Sequence, residues 1–311
     1  MDLVLALAGL ALLLVAGDLL VRGAVALSLR LGIPALVVGL TVVAFGTSAP
    51  ELLVSVQAVL RDAPAIAVGN VVGSNIANIL LVLGLPALIA AVDPREHDTR
   101  RSYLMMLAAS VLLIALCFLG PLHLWHAAVL LVLFGLMLAD MARDAYRGRV
   151  AIPEEVQEAE GRAPLSRILL LLALGLIGLP LGADLLVDGA VGIATSFGVS
   201  EAVIGLTLVA VGTSLPELAT TVMAAIRSRI DVAFGNVIGS NLFNILFILG
   251  VTSLFGPVPI DPVFLQRDLW VMLAASLVIL PVVFRGWRVN RLGGVALLAG
   301  YGAFTYLLFA T

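Results

Sequence analysis

Apolar residues run along this chain in ten blocks, each long enough to approach the ~20 residues a helix needs to cross a bilayer. The blocks fall near 3–22, 33–60, 65–91, 103–120 and 122–141, and then near 168–188, 200–226, 231–255, 268–285 and 291–310. A polar stretch from Arg143 to Arg167 separates the two sets. The pattern predicts an all-α integral membrane protein with ten transmembrane helices. Two blocks in each set break the apolar rule in their middles, with Glu, Ser, Thr and Asn where a span should carry none.

Those interruptions are the same in both sets. Residues 37–52 read VVGLTVVAFGTSAPEL and residues 203–218 read VIGLTLVAVGTSLPEL, at an offset of 166 with no gap. GNVVGSNIANIL (69–80) and GNVIGSNLFNIL (235–246) keep the same offset, and the match begins at Asp18 and Asp184. About half the aligned positions of 17–85 and 183–251 are identical. A repeat of this length indicates two copies of one structural unit. Five spans per copy is an odd number, so the second copy must enter the membrane in the opposite sense. The expected organisation is a first five-helix repeat (1–142), a cytoplasmic linker (143–167) and a second, inverted five-helix repeat (168–311), an architecture of secondary transporters with sites near the midplane.

Arginine tests the count. With the N-terminus outside, fifteen arginines fall on inner loops and span ends, while Arg61 and Arg267 remain outside. That asymmetry fits the positive-inside rule and puts both termini outside and the linker in the cytoplasm. Composition agrees: 62% hydrophobic, 12% charged and a mean hydropathy of +1.17 exclude a soluble domain. There is no lysine, so neither a Walker A loop nor a Schiff-base cofactor is available, and nucleotide and nucleic-acid partners are not expected. The N-terminus reads as a retained first span. Cys117 reads as a buried structural thiol. The segments 143–167 and 93–101 read as solvated connections, and His97, His123 and His126 form no metal pattern.

Glu51 and Glu217 lie near the centres of long spans, where a carboxylate costs at least about 2.5–3.5 kcal/mol. No basic residue in their own spans or in 65–91 and 231–255 sits at midplane depth to compensate, so the neutralising charge is a proton or a bound cation. Pro50 removes a backbone donor and Gly46 loosens the chain, so a kink is expected there, freeing carbonyls around Ala44 and Thr47. Thr47 and Ser48 share a helical face with Glu51. Ala210, Thr213, Ser214, Pro216 and Glu217 repeat the arrangement. Asn70, Ser74 and Asn78 make a polar stripe on the next span, twinned by Asn236, Ser240 and Asn244. Every donor is oxygen, which suits hard cations such as calcium and disfavours soft metals. Gly69, Gly73, Gly235 and Gly239 read as packing positions. Asn75 and Asn241 read as helix bridges, and Asp18, Asp184 and Asp188 as span-end charges satisfied by water or Arg22.

On the paired GTSAPEL and GTSLPEL segments, and on GNVVGSNIANI and GNVIGSNLFNI, the chain resembles the cation/calcium antiporter superfamily, most nearly its prokaryotic sodium/calcium exchanger branch. The resemblance covers essentially the whole chain. It implies a central site between four helices, with the first and sixth spans sliding across a rigid remainder. It implies that Glu51 and Glu217 bind calcium and share sodium sites. Thr47, Ser48, Thr213 and Ser214 would add oxygens, as would the backbones of Ala44 and Ala210, and Ser74, Asn78, Ser240 and Asn244 would complete the ring, with Thr47 and Thr213 beside the glutamates as the metal set. Some members carry aspartate where this chain has Asn244, so proton or potassium coupling stays open.

The expected function is therefore Ca2+/Na+ antiport by alternating access in a prokaryotic inner membrane. The transported ions are the only small partners besides lipid, no resident cofactor is needed, and the protein is expected to work as a monomer and not as an enzyme. A proton- or potassium-coupled antiporter on the same fold is the nearest alternative, and a cation channel the alternative of another class.

Overall fold

The computed structural model describes residues 1–91, 99–147, 163–197 and 212–310, and among these the chain is mainly helical, with an isolated β-bridge between Leu122 and Val258. The helices are α1 (Asp2–Leu31), α2 (Ala35–Thr47), α3 (Ala49–Leu60), α4 (Pro64–Ile89), α5 (Arg100–Phe118), α6 (Leu124–Arg143), α7 (Leu165–Ser196), α8 (Leu215–Ile226), α9 (Ile230–Thr252), α10 (Phe264–Arg285) and α11 (Arg291–Leu308). Eight of them are long and apolar enough to span a membrane, and α2 with α3 makes a ninth, bent by 44° at its break. Of the expected span 200–226, residues 212–226 are described, including α8; its first part lies outside the described residues, as do most of the linker, His97 and Ala210.

Burial decides which helices run through the centre. The most apolar window of α9 is 94% buried and that of α4 is 72%, against 17% for α11. A helix buried on all sides needs close neighbours, and small residues supply them. A Cβ on Gly235 would come within 2.7 Å of the Leu36 carbonyl oxygen on α2, and one on Gly239 within 2.8 Å of Leu40 Cα. The chain at 202–206, which repeat equivalence pairs with their counterparts Gly69 and Gly73 on α4, lies outside the described residues.

The longest helices, α1 and α7, pack antiparallel as a pair. Their contact is lined with glycine, so the backbones nearly touch: Cβ atoms on Gly175, Gly178 and Gly182 would lie 2.7, 2.8 and 2.9 Å from Leu20 Cβ, Ala16 Cβ and the Leu13 nitrogen. Between helices in lipid, where burial brings no hydrophobic gain, such close van der Waals contact is a main source of association. Leu13, Leu20 and Val21 with Ile168, Leu172 and Leu179 form one apolar cluster here. A larger cluster joins α4, α5, α9 and α10.

The turns after α3 and α8 repeat one another in detail. Asp62 and Ser228, 166 residues apart, both take positive φ (58° and 56°), a conformation uncommon outside glycine. The two copies thus share local backbone geometry as well as sequence.

Candidate functional site

The site begins at the break between α2 and α3. Pro50 has no N–H to give the Gly46 carbonyl, and the chain bends at Ser48 (φ −86°, ψ 7°). Ser214, before Pro216, has nearly the same angles (φ −86°, ψ 2°). The expected release of the Ala44 carbonyl is not observed. That oxygen accepts from the Ser48 N–H at 3.0 Å and lies 3.3 Å from the Thr47 hydroxyl, because the interruption caused by Pro50 falls half a turn later, at Gly46.

Each break starts a new helix whose first turn carries the glutamate, Glu51 on α3 and Glu217 on α8. A helix N-terminus carries partial positive charge and favours a carboxylate there. The sequences Ser-Ala-Pro-Glu and Ser-Leu-Pro-Glu also have the form of a capping box, in which serine and glutamate would bond back to their own helix. Neither serine does so. Ser48 instead donates across the repeat boundary to Glu217 Oε1 at 2.9 Å, and Ser240 on α9 approaches the same oxygen at 3.4 Å.

Two asparagines hold the glutamate helices in place. Asn70 Nδ2 donates to the Glu51 carbonyl at 3.0 Å and to Ser55 Oγ at 2.9 Å. Asn236 Nδ2 donates to the Glu217 carbonyl at 3.2 Å and to Thr221 Oγ1 at 3.0 Å. The Asn236 amide oxygen meets the Thr47 hydroxyl at 3.2 Å, which links the two copies again. Ser55 and Thr221 were not singled out from the sequence, although a hydroxyl four residues after each glutamate was the available signal.

Deeper on α4 and α9, both helices widen at Asn78 and Asn244, where the N–H groups of Leu83 and Leu249 bond back five residues rather than four. Such widened turns concentrate at functional sites. Asn78 Nδ2 donates to Asn241 Oδ1 at 3.0 Å, and Asn241 reaches the Asn75 carbonyl, so Asn241 bridges the repeats.

What remains unsatisfied defines the chemistry. Glu51 and Glu217 are each 1% exposed. Both carboxylate oxygens of Glu51, Oε2 of Glu217, and the side-chain oxygens of Asn78, Asn244, Thr213 and Ser214 have no hydrogen-bond partner. Buried polar atoms are nearly always paired, and a carboxylate can only accept. Among the described residues, the ion pairs formed by arginine reach Asp18, Asp140 and Asp268, never a site glutamate. No cluster of three or more His, Cys, Asp or Glu is present among them either. The arrangement is a pair of acids surrounded by neutral oxygens, chemically suited to a hard cation. Ser74 and Ser240, 4% and 0% exposed, line the same two helices one turn before Asn78 and Asn244. Of the expected oxygens, only Ala210 cannot be placed, since it lies outside the described residues.

The family described as sodium/calcium exchanger protein matches residues 1–140 and 167–310. The inner membrane protein YrbG of Escherichia coli is 38% identical over 98% of this chain and 96% of its own length. The sodium/calcium exchanger MaX1 of Methanosarcina acetivorans is 33% identical over 97% of each. The sodium-calcium exchanger NCX_Mj, solved after soaking with Na+ and Sr2+, superposes with a TM-score of 0.84 at 35% identity, covering 100% of this chain and 98% of that one.

Proposed function

The chain belongs to the sodium/calcium exchanger protein family, and from that premise we propose that it is a secondary antiporter exchanging Ca2+ for Na+ by alternating access at one midplane site. The observation that carries this is the bare Glu51–Glu217 pair, three of whose four carboxylate oxygens are buried without a partner. A charge of −2 matches one divalent ion or two monovalent ones, and a single set of oxygens that serves both in turn makes exchange obligatory. Glu51 and Glu217 are the direct ligands. Thr47, Ser48, Thr213, Ser214, Ser74, Asn78, Ser240 and Asn244 supply neutral oxygens, and the Ala44 and Ala210 carbonyls complete the set when the hydrogen bonds at Ala44 rearrange. An empty site buries two uncompensated charges, so only the loaded forms interconvert cheaply.

Ten helices in two inverted five-helix repeats provide the frame. Both termini face outside, residues 143–167 face the cytoplasm, and the protein works as a monomer in a prokaryotic inner membrane. The membership of YrbG, an inner membrane protein, among the relatives supports the location.

Protons in place of sodium form the second reading, favoured by asparagine at both Asn78 and Asn244, which leaves the site with only two acids. Calcium-45 uptake into sodium-loaded proteoliposomes, diluted into sodium-free buffer at equal pH, separates the two. Uptake that follows the sodium gradient and is lost in Glu51→Gln/Glu217→Gln supports sodium exchange. Uptake driven only by a proton gradient would replace sodium with protons at the same residues.

A further inference from the structure

Asn75 on α4 and Asn241 on α9 are not among the proposed cation ligands, yet each is buried just before one of them, Asn78 or Asn244. The two equivalent pairs are made differently. Asn78 Nδ2 donates to Asn241 Oδ1 at 3.0 Å, and Asn241 Nδ2 in turn lies 3.5 Å from both the Asn75 carbonyl oxygen and the Met106 sulfur. In the other pair, Asn75 and Asn244, neither amide nitrogen nor amide oxygen of either residue has a partner. The surroundings of the two pairs nevertheless match. Met272 stands 166 residues after Met106, and the hydroxyls of Ser110 and Ser276, also 166 apart, donate to the Met106 and Met272 carbonyls at 2.9 and 3.0 Å. The methionine-bearing helix α5 packs on α9, as α10 packs on α4.

An asparagine is a two-ended ligand. Its carbonyl oxygen attracts a cation and its N–H groups repel one, and the two ends have nearly the same shape. Which end faces the ion depends on what holds the other. Asn241 Oδ1 takes an N–H of Asn78, which fixes the amide plane and leaves Asn78 Oδ1 as the buried acceptor without a partner. A glutamate needs no such guide, because both of its ends accept. Asn244 has the same requirement as Asn78, and Asn75 is the residue placed to meet it. Buried amide groups are seldom left bare, so an arrangement that bonds Asn244 to Asn75 recovers what this one forgoes.

We propose that Asn241 and Asn75 are positioning residues for the cation site. Each turns the amide oxygen of its partner, Asn78 or Asn244, towards the ion, and the closed bond passes from Asn78–Asn241 to Asn244–Asn75 as the site changes sides. The proposal rests on the reading of Asn78 and Asn244 as cation ligands in an alternating-access cycle. It holds whether sodium or protons drive that cycle.

The test is a pair of double-mutant cycles on the full chain. In the first, calcium affinity is read by isothermal titration calorimetry in choline buffer. Asn241→Ala should weaken binding about tenfold, as loss of a group that orients a metal ligand does. Asn78→Ala removes the ligand itself and should cost about the same, and the double variant should bind about tenfold rather than about 100-fold worse than wild type. A helix bridge of purely structural value would lower the unfolding temperature and leave the affinity losses uncoupled. Should Asn241→Ala fail to fold, Asn241→Leu keeps the volume, removes the acceptor and carries the same cycle. The second cycle pairs Asn75→Ala with Asn244→Ala and reads calcium-45 self-exchange in proteoliposomes, which needs no sodium or proton gradient and visits both sides in every turnover. Each variant should slow exchange about tenfold, and the double variant no further. Unchanged affinity in Asn241→Ala, or additive losses in the first cycle, would refute the positioning role. Coupling in the first cycle with additive losses in the second would refute the transfer of the bond. A wild-type chain that binds no calcium would instead remove the cation site, and this proposal with it.

Discussion

Replacing Glu51 by glutamine should reverse sign with cation concentration. Glu51 is fully buried and neither of its carboxylate oxygens has a partner, so without a cation the wild-type protein must either carry an isolated charge inside the membrane or bind a proton there. The charged form costs at least about 2.5–3.5 kcal/mol on insertion scales. Glutamine keeps the shape and removes the charge. In cation-free choline buffer, Glu51→Gln should therefore unfold at a higher temperature than wild type. Calcium reverses the order. At 100 times its dissociation constant it stabilises wild type by about 2.7 kcal/mol. Each tenfold loss of affinity in the variant removes about 1.4 kcal/mol of that gain. Thermal unfolding of both proteins in detergent, across a calcium titration with a choline control, should give two curves that cross. Parallel curves, with the variant less stable by the same amount at every calcium concentration, would show that Glu51 is held by structure rather than by a cation, and would refute the reasoning.

Three other outcomes follow from the same contacts. Asn236→Ala removes both bonds that anchor the start of α8, costing about 1–3 kcal/mol in denaturation and slowing calcium uptake through a misplaced Glu217; Asn70→Ala should do the same to Glu51. Gly178→Val forces a side chain against Ala16, where even a Cβ would sit at 2.8 Å, and should cost about 1–3 kcal/mol while reducing transport more than the cation-site affinity measured by calcium-induced stabilisation. Asp18→Asn breaks the ion pairs at the α1 end, and since Arg22 is half-exposed its stability effect should stay below about 1 kcal/mol by thermal unfolding.

Much of the fold was readable because membrane helices announce themselves by length and hydropathy, and because duplication gave every polar position a second copy. Glu51, Glu217 and the asparagine stripes stood out for that reason. The bend at Ser48 also followed from Pro50. The fate of individual hydrogen bonds was less readable. Ser48 sits in a local capping sequence, yet its hydroxyl crosses to Glu217, a choice decided by the proximity of another helix and not by its own neighbours. Ala44 failed as a freed carbonyl because its position relative to Pro50 determines which oxygen loses its donor. The widening of α4 and α9 at Asn78 and Asn244 had no composition signal, since a five-residue bond is a property of packing. Ser55 and Thr221 looked like ordinary helix hydroxyls until the asparagines from the next helix were seen to reach them.

The unequal treatment of two equivalent serines has a wider meaning. Ser48 is bonded to Glu217, whereas Ser214, its counterpart 166 residues later, has no partner for its hydroxyl and Glu51 has none for its carboxylate. Identical residues have thus settled into different roles, as the proposed alternating access would require of a molecule held in one of two mirror arrangements. The chemistry at these four positions is the same in either arrangement, so it cannot set which is preferred. That bias must come from places where the copies diverge, such as Phe45 against Val211 or Val54 against Thr220. Substitutions there should retune the resting direction of the protein while leaving the ions it recognises unchanged.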